Sequence, residues 1–184
     1  MNVRSAIIVG FLLTACSRSD LPDCPPDTAA PVDAELLAFL GRARSAHHAA
    51  DQLERRSDTA AAIVKLKQVT SGPRPKTRHA EVREVLADTL ARIADLEGRR
   101  GDFEVALEHI EEGLGLAPAP SYFQGHLFEV RGLVEERRAN TLKENGQEAE
   151  AAKATERALE AFEQAMKIQA RVIDQSLEQD GGNR

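Results

Sequence analysis

Cysteine is almost missing from this chain: its 184 residues hold two, Cys16 and Cys24. Histidine is scarce as well, at positions 47, 48, 79, 109 and 126. There is no Cys-x-x-Cys, no His-Glu-x-x-His and no phosphate-cradling glycine loop. These absences remove the usual metal and nucleotide motifs, so neither a metal nor a cofactor is expected. His47 and His48 are adjacent and would point about 100° apart on a helix, which groups them with no third ligand. No block of basic residues occurs and the net charge is −6, a poor match for nucleic acid. Proline interrupts residues 34–179 only at 73, 75, 118 and 120, and β-branched residues are sparse there. No stretch keeps a strand pattern. The one long apolar run, Ala6 to Leu13, is well short of the roughly 20 residues that span a bilayer.

What is present is helical periodicity. The expected segments are about 34–56, 58–70, 78–99, 103–116, 122–144 and 147–179. Their inward residues by spacing are Leu36, Phe39, Leu40, Ala43, Ala50 and Leu53 in the first and Ala62, Ile63, Leu66 and Val69 in the second. The third offers Val82, Leu86, Leu90, Ile93 and Ala94, and the fourth Phe103, Ala106, Leu107, Ile110 and Leu114. Phe123, Leu127, Val130 and Val134 follow in the fifth, then Leu159, Phe162, Ala165, Met166, Val172 and Ile173 in the sixth. Thr77 and Asp102 suit N-caps, Ser121 with Gln124 suits a capping box, and Asn145-Gly146 suits a turn.

The amino terminus carries one positive charge, Arg4, then the apolar run, then Leu13-Thr14-Ala15-Cys16. This resembles the lipobox of bacterial lipoproteins. The resemblance implies a signal peptide over residues 1–15, cleavage before Cys16 and lipid on its thiol. Two or more acyl chains would anchor the protein stably, where one holds only marginally. Ser17 stands where an inner-membrane retention aspartate would, which favours the outer membrane, facing the periplasm. Acylation of Cys16 leaves Cys24 as the sole thiol and allows no internal disulfide. Cys24 is then either a cross-link to a partner or a bystander. Residues 17–33, with Pro22, Pro25, Pro26 and Pro31 among aspartates, read as an extended tether that reaches roughly 50 Å. The helical domain is expected over 34–180, with 181–184 as a tail.

An internal period runs through that domain. Turns fall at Ser57-Asp58, Gly101-Asp102 and Gly146-Gln147, each followed at the same offset by Ala62, Ala106 or Ala151. Pro73-Arg74-Pro75 and Pro118-Ala119-Pro120 separate the pairs. Fixed-period self-similarity of this kind marks stacked helical hairpins. The second unit resembles a tetratricopeptide repeat at Ala94, Gly101-Asp102-Phe103, Ala106 and Pro118. The match implies an all-α stack of about three helix pairs. The period here is about ten residues longer than the family's 34, so the helices are expected to be long.

In such arrays the first helix of each pair lines a concave surface. Carrying the second unit's positions across gives Arg44, His47, Asp51, Asp88, Ala91, Asp95, Asn140 and Lys143 as candidate partner-binding residues. Their mixed charge does not suit a dedicated carboxylate clamp. The sequence therefore points to a non-enzymatic lipoprotein that binds a partner protein as a scaffold or assembly factor in the cell envelope. That make-up resembles pilotins, which help secretins assemble. Two alternatives belong to other classes: a self-associating structural lipoprotein, and an envelope enzyme with a histidine–carboxylate site at His109 or His126.

Overall fold

The structure, a computed structural model, describes residues 33–76 and 79–181, with side chains to residue 178. The leader, Cys16, Cys24, the tether up to residue 32 and Thr77 lie outside the described residues; Asp33, expected as the last residue of the tether, caps the first helix. Six helices account for nearly all of the rest: α1 (Ala34–Glu54), α2 (Thr59–Thr70), α3 (Ala80–Arg100), α4 (Phe103–Leu116), α5 (Tyr122–Glu144) and α6 (Glu148–Gly181). No strand occurs among the described residues. The protein is all-α, as its periodicity predicts.

Local chemistry sets the helix ends. The Asp33 carboxylate accepts the backbone N–H groups of Glu35 and Leu36, and Asp58 accepts that of Ala61. Such caps satisfy donors that the first turn cannot pair internally. The three turns inside the helix pairs share one geometry. Ser57, Gly101 and Gly146 take positive φ angles of 61°, 86° and 74°. The next residue's N–H then reaches back to the carbonyl five positions earlier: Asp58 to Leu53, Asp102 to Glu97 and Gln147 to Leu142. This is the Schellman closure, which favours glycine because a Cβ crowds the left-handed region. Ser57 is the one non-glycine residue to adopt it among the described residues.

Several local expectations are corrected. α1 stops at Glu54 because the closing turn uses residues 55–58, and α3 starts at Ala80 with His79 at its N-cap position. Asp102 holds the N-cap position of α4 but makes no side-chain cap; its carboxylate lies 3.3 Å from Arg100 instead. Ser121 does cap Gln124, but the Gln124 amide donates to the Ala117 carbonyl rather than closing a reciprocal box.

Consecutive helices pack in sequence order, and α1 and α5 also both touch α3, which sits at the centre. Three apolar clusters follow. Phe39, Ala43, Val69, Val82 and Leu86 join α1, α2 and α3 at one end, and Ala50, Ala62, Ile63, Leu66, Ile93 and Leu96 join them at the other. Ala87, Ala91, Ala94, Ala106, Ile110, Leu127, Val130 and Val134 bind α3, α4 and α5.

The α5–α6 contact is built from small residues, and here the expected face is overturned. The spacing puts Leu159, Met166 and Ile173 inward, yet they are 60%, 61% and 60% exposed. Ala154, Ala158 and Ala161 are buried in their place, together with Ala165, which the spacing also puts inward, and Ala151, which follows the third turn. The cause lies on α5, which presents Gly125, Gly132 and Ala139 seven residues apart. A Cβ built on Gly132 would stand 2.5 Å from the Phe162 ring, so only glycine admits that ring. Helices this close have no room for leucine or methionine between them.

Candidate functional site

Four of the sequence candidates on α1 and α3, His47, Asp51, Asp88 and Asp95, lie along the α1–α3 contact, but Asp51 and Asp95 are already held by arginines that were not among the candidates. Arg92 of α3 donates to both Asp51 and Glu54 of α1. Arg99 pairs with Asp95 on its own helix and lies 3.4 Å from Glu54. Arg137 of α5 is 2.9 Å from the other oxygen of Asp95. These contacts form a continuous run of alternating charge across α1, α3 and α5. The guanidinium fork suits this role because one group can hold two carboxylates. Burial raises the cost of leaving Arg92 charged, and its bonds to Glu54 and Asp51 more than offset it, so its pKa is raised. The Arg92 hydrogen bond likewise holds the Asp51 carboxyl below its ordinary range.

His47 sits within the same interface. Thr89 donates its hydroxyl to the Val85 carbonyl at 2.6 Å, so its oxygen is free to accept. His47 Nε2 lies 2.9 Å from that oxygen and therefore carries the proton. Nδ1 is left as an acceptor facing Arg92 Nη1 at 3.4 Å. Burial, aided by the Arg92 charge, outweighs the pull of Asp88 and Asp51 and lowers the His47 pKa. The group is a neutral imidazole in a stitched helix interface.

The remaining candidates fall elsewhere. Ala91 is fully buried in the α3–α4–α5 cluster and reaches no surface. Arg44 is exposed on α1, and Lys143 is exposed near the end of α5. Asn140 lines a cavity of about 190 Å³ with Glu136 of α5 and Thr155, Leu159 and Phe162 of α6. It is therefore grouped with α6 and not with the α1–α3 residues. Asp88 makes no ion pair with lysine or arginine among the described residues, and the same holds for Glu84 and Glu136. With Arg92, Arg99 and Arg137 occupied, Glu84 and Asp88 are carboxylates that α3 leaves over.

Two features were not visible in the sequence. Glu97 is 4% exposed, within 2.9 Å of Lys67 on α2 and 3.5 Å of His109 on α4. Burial pushes its pKa upward, but His109 and Lys67 outweigh burial and the carboxyl ends below its ordinary range. This cluster pins α2 and α4 to α3, and His109 is thereby committed to the interior. His126, the other histidine of the enzyme alternative, stacks on the Tyr122 ring and lies 3.3 Å from Glu129. The second feature is a cavity of about 460 Å³ beside the Pro73–Pro75 connection. Its rim holds Arg74, Lys76, His79 and Arg83, over Val82, Leu86 and Leu116. The Pro-x-Pro motif reads only as a helix breaker in sequence, and nothing local marks its cations as a group.

Among the described residues no three His, Cys, Asp or Glu side chains are placed to hold a metal ion. No described helix is long and apolar enough to cross a membrane. The fold and this face define an all-α protein of consecutively packed helices whose α1–α3–α5 surface carries an arginine–carboxylate network. No protein-family model, curated protein or solved structure matches the chain.

Proposed function

We propose that this protein is a lipoprotein, anchored through lipid on Cys16 to the outer membrane, whose helices form a tetratricopeptide-like stack that binds a partner protein in the cell envelope. The observation that carries the stack is the recurrence of one turn. Positive φ appears at 57, 101 and 146, spacings of 44 and 45 residues, with the same back-reaching hydrogen bond each time. Ala62, Ala106 and Ala151 follow each turn at one offset, and all three are buried where the paired helices meet. Dihedral sign, hydrogen bond and buried alanine shared at a fixed period support a repeating unit. The neighbouring positions of α1, α3 and α5 then correspond to the first helices of successive pairs.

The reading of this surface is a scaffold or assembly role, with pilotin-like help to a secretin as its narrower form. Glu84 and Asp88 of α3, which pair with no lysine or arginine among the described residues, favour a partner segment that presents lysine or arginine, since an interface matches opposite charge and repels like charge. The test is cross-linking and pull-down from intact membranes with wild-type protein, Cys16→Ser and the double reversal Glu84→Lys/Asp88→Lys. Cys16→Ser should leave far-UV circular dichroism unchanged and shift the protein out of the membrane fraction. The double reversal should stay membrane-bound and lose the cross-linked partner. A Cys16→Ser protein that still fractionates with membranes refutes the anchor. Secretin multimers that persist after deletion of the gene refute the pilotin-like form.

A further inference from the structure

Among the described residues the outer face of α6 has no partner. α6 packs on α5 alone, and it is 34 residues long against 23 for α5. Four of the large apolar side chains left most exposed lie along it: Leu159, Met166, Ile173 and Leu177, at 60%, 61%, 60% and 65%. They belong to a longer seam. Ala149, Ala152, Glu156, Leu159, Glu163, Met166, Ala170, Ile173 and Leu177 alternate in steps of three and four, and every one is exposed. Alternating steps of three and four define a coiled-coil seam. It runs about 42 Å at 1.5 Å per residue and lies roughly 140° round the helix from the buried alanines.

The occupant is indicated by charge. Flanking the seam on one side are Lys153, Glu160, Lys167 and Asp174, seven residues apart and alternating in sign. We infer that α6 pairs with α6 of a second copy in an antiparallel two-fold coiled coil. In the register that sets Leu159 against Ala170 of the other copy and Ala152 against Leu177, Lys153 meets Asp174 and Glu160 meets Lys167. All four flanking pairs across the two-fold axis are then opposite in charge. Shifting by one heptad either way sets Lys167 against its own counterpart with Glu160 against Asp174, or Glu160 against its own counterpart with Lys153 against Lys167. A parallel in-register pair would stack Glu156 on Glu156 and Glu163 on Glu163. Of these arrangements only the first avoids every like-charge contact, and it makes four attractive flanking pairs; flanking charges of this kind set partner and orientation. Glu156 and Glu163 meet Ile173 and Met166 within the seam, a cost that makes the dimer reversible rather than obligate. The inference does not depend on the partner-binding reading of the α1–α3–α5 face.

Sedimentation equilibrium of the full chain in density-matched mild detergent tests it. The wild type should show a concentration-dependent monomer–dimer equilibrium, and Met166→Glu should abolish it. Glu160→Lys and Lys167→Glu should each weaken dimerisation roughly tenfold, since each replaces two attractive pairs by two repulsive ones. The double variant Glu160→Lys/Lys167→Glu should return to within about threefold of wild type, because the exchanged charges attract again. All substituted residues are solvent-exposed, so helicity by circular dichroism should stay constant. A wild type that remains monomeric overturns the inference, as does a dimer indifferent to Met166→Glu. A double variant as weak as the singles also overturns it, in favour of a different protein on this face.

Discussion

Replacing Gly132 by alanine probes the close contact between α5 and α6. Alanine is the better helix former by about 0.8–1 kcal/mol, so the substitution would stabilise an isolated helix. In the folded chain the new Cβ would meet three Phe162 ring carbons at 2.5, 2.6 and 2.7 Å. Carbon atoms prefer separations of about 3.5–4.0 Å, so the ring or α6 must retreat by about 1 Å. Overpacking of this size costs about 1–3 kcal/mol, which leaves a net destabilisation of up to about 2 kcal/mol. Gly41 in α1 supplies the control, because nothing lies within 4 Å of the point a Cβ would occupy there and alanine should only stabilise. Thermal unfolding followed at the helical band should place Gly132→Ala below Gly41→Ala by roughly 3–10 °C. Adding Phe162→Leu should recover part of the loss through coupling between touching residues. A Tm for Gly132→Ala equal to or above that of Gly41→Ala would refute the close α5–α6 approach and the explanation of why Leu159 and Met166 face outward.

Three further outcomes follow from the packing and the titrating groups. Leu66→Ala removes a fully buried side chain between α2 and α3 and should cost about 2–5 kcal/mol in denaturant unfolding; a loss below about 1 kcal/mol would contradict its core placement. Arg157 holds Glu135 by two hydrogen bonds of 2.8 and 3.0 Å, and the Glu135 side chain is 5% exposed. Arg157→Ala should therefore cost about 1–3 kcal/mol, more than an ordinary surface substitution, because it strands a buried carboxylate. An unfolding curve that superposes on wild type would show the fork to be incidental. His47 has a folded pKa below the unfolded value of 6.5, so the folded state takes up its proton less readily. Its contribution is complete above about pH 6.5 and is lost as pH falls through the folded value. Between about pH 7 and pH 5 the wild-type Tm should fall more steeply than that of His47→Gln, and parallel slopes would exclude a buried neutral imidazole.

The helices and their turns were legible in the sequence because the interactions that form them are local. A 3.6-residue period, an aspartate or serine ahead of an apolar run, and glycine at positive φ act within a few residues of one another. α4 and α5 accordingly match their expected bounds, and the four inward residues of α2 are all buried. The turn repeat at 57, 101 and 146 could be read for the same reason. The all-α class follows from these features alone.

Tertiary structure decided what depends on a distant neighbour. The sequence offers α6 two faces, one of alanines and one of leucine, methionine and isoleucine, and hydrophobicity favours the second. The glycines of α5 choose the first, because two helices can touch backbone to backbone only through small side chains. The candidate site was sorted in the same way. Asp51 and Asp95 are good surface candidates by position, and only the arrival of Arg92 and Arg137 from more than forty residues away turns them into structural ties. Ala91 disappears into a core that α4 and α5 complete. Glu97, an ordinary helix glutamate in sequence, becomes a buried charge once Lys67 and His109 close over it. Helix existence is a local property of the chain, whereas the roles of these charges and the face each helix turns outward are set by packing partners that no local pattern encodes.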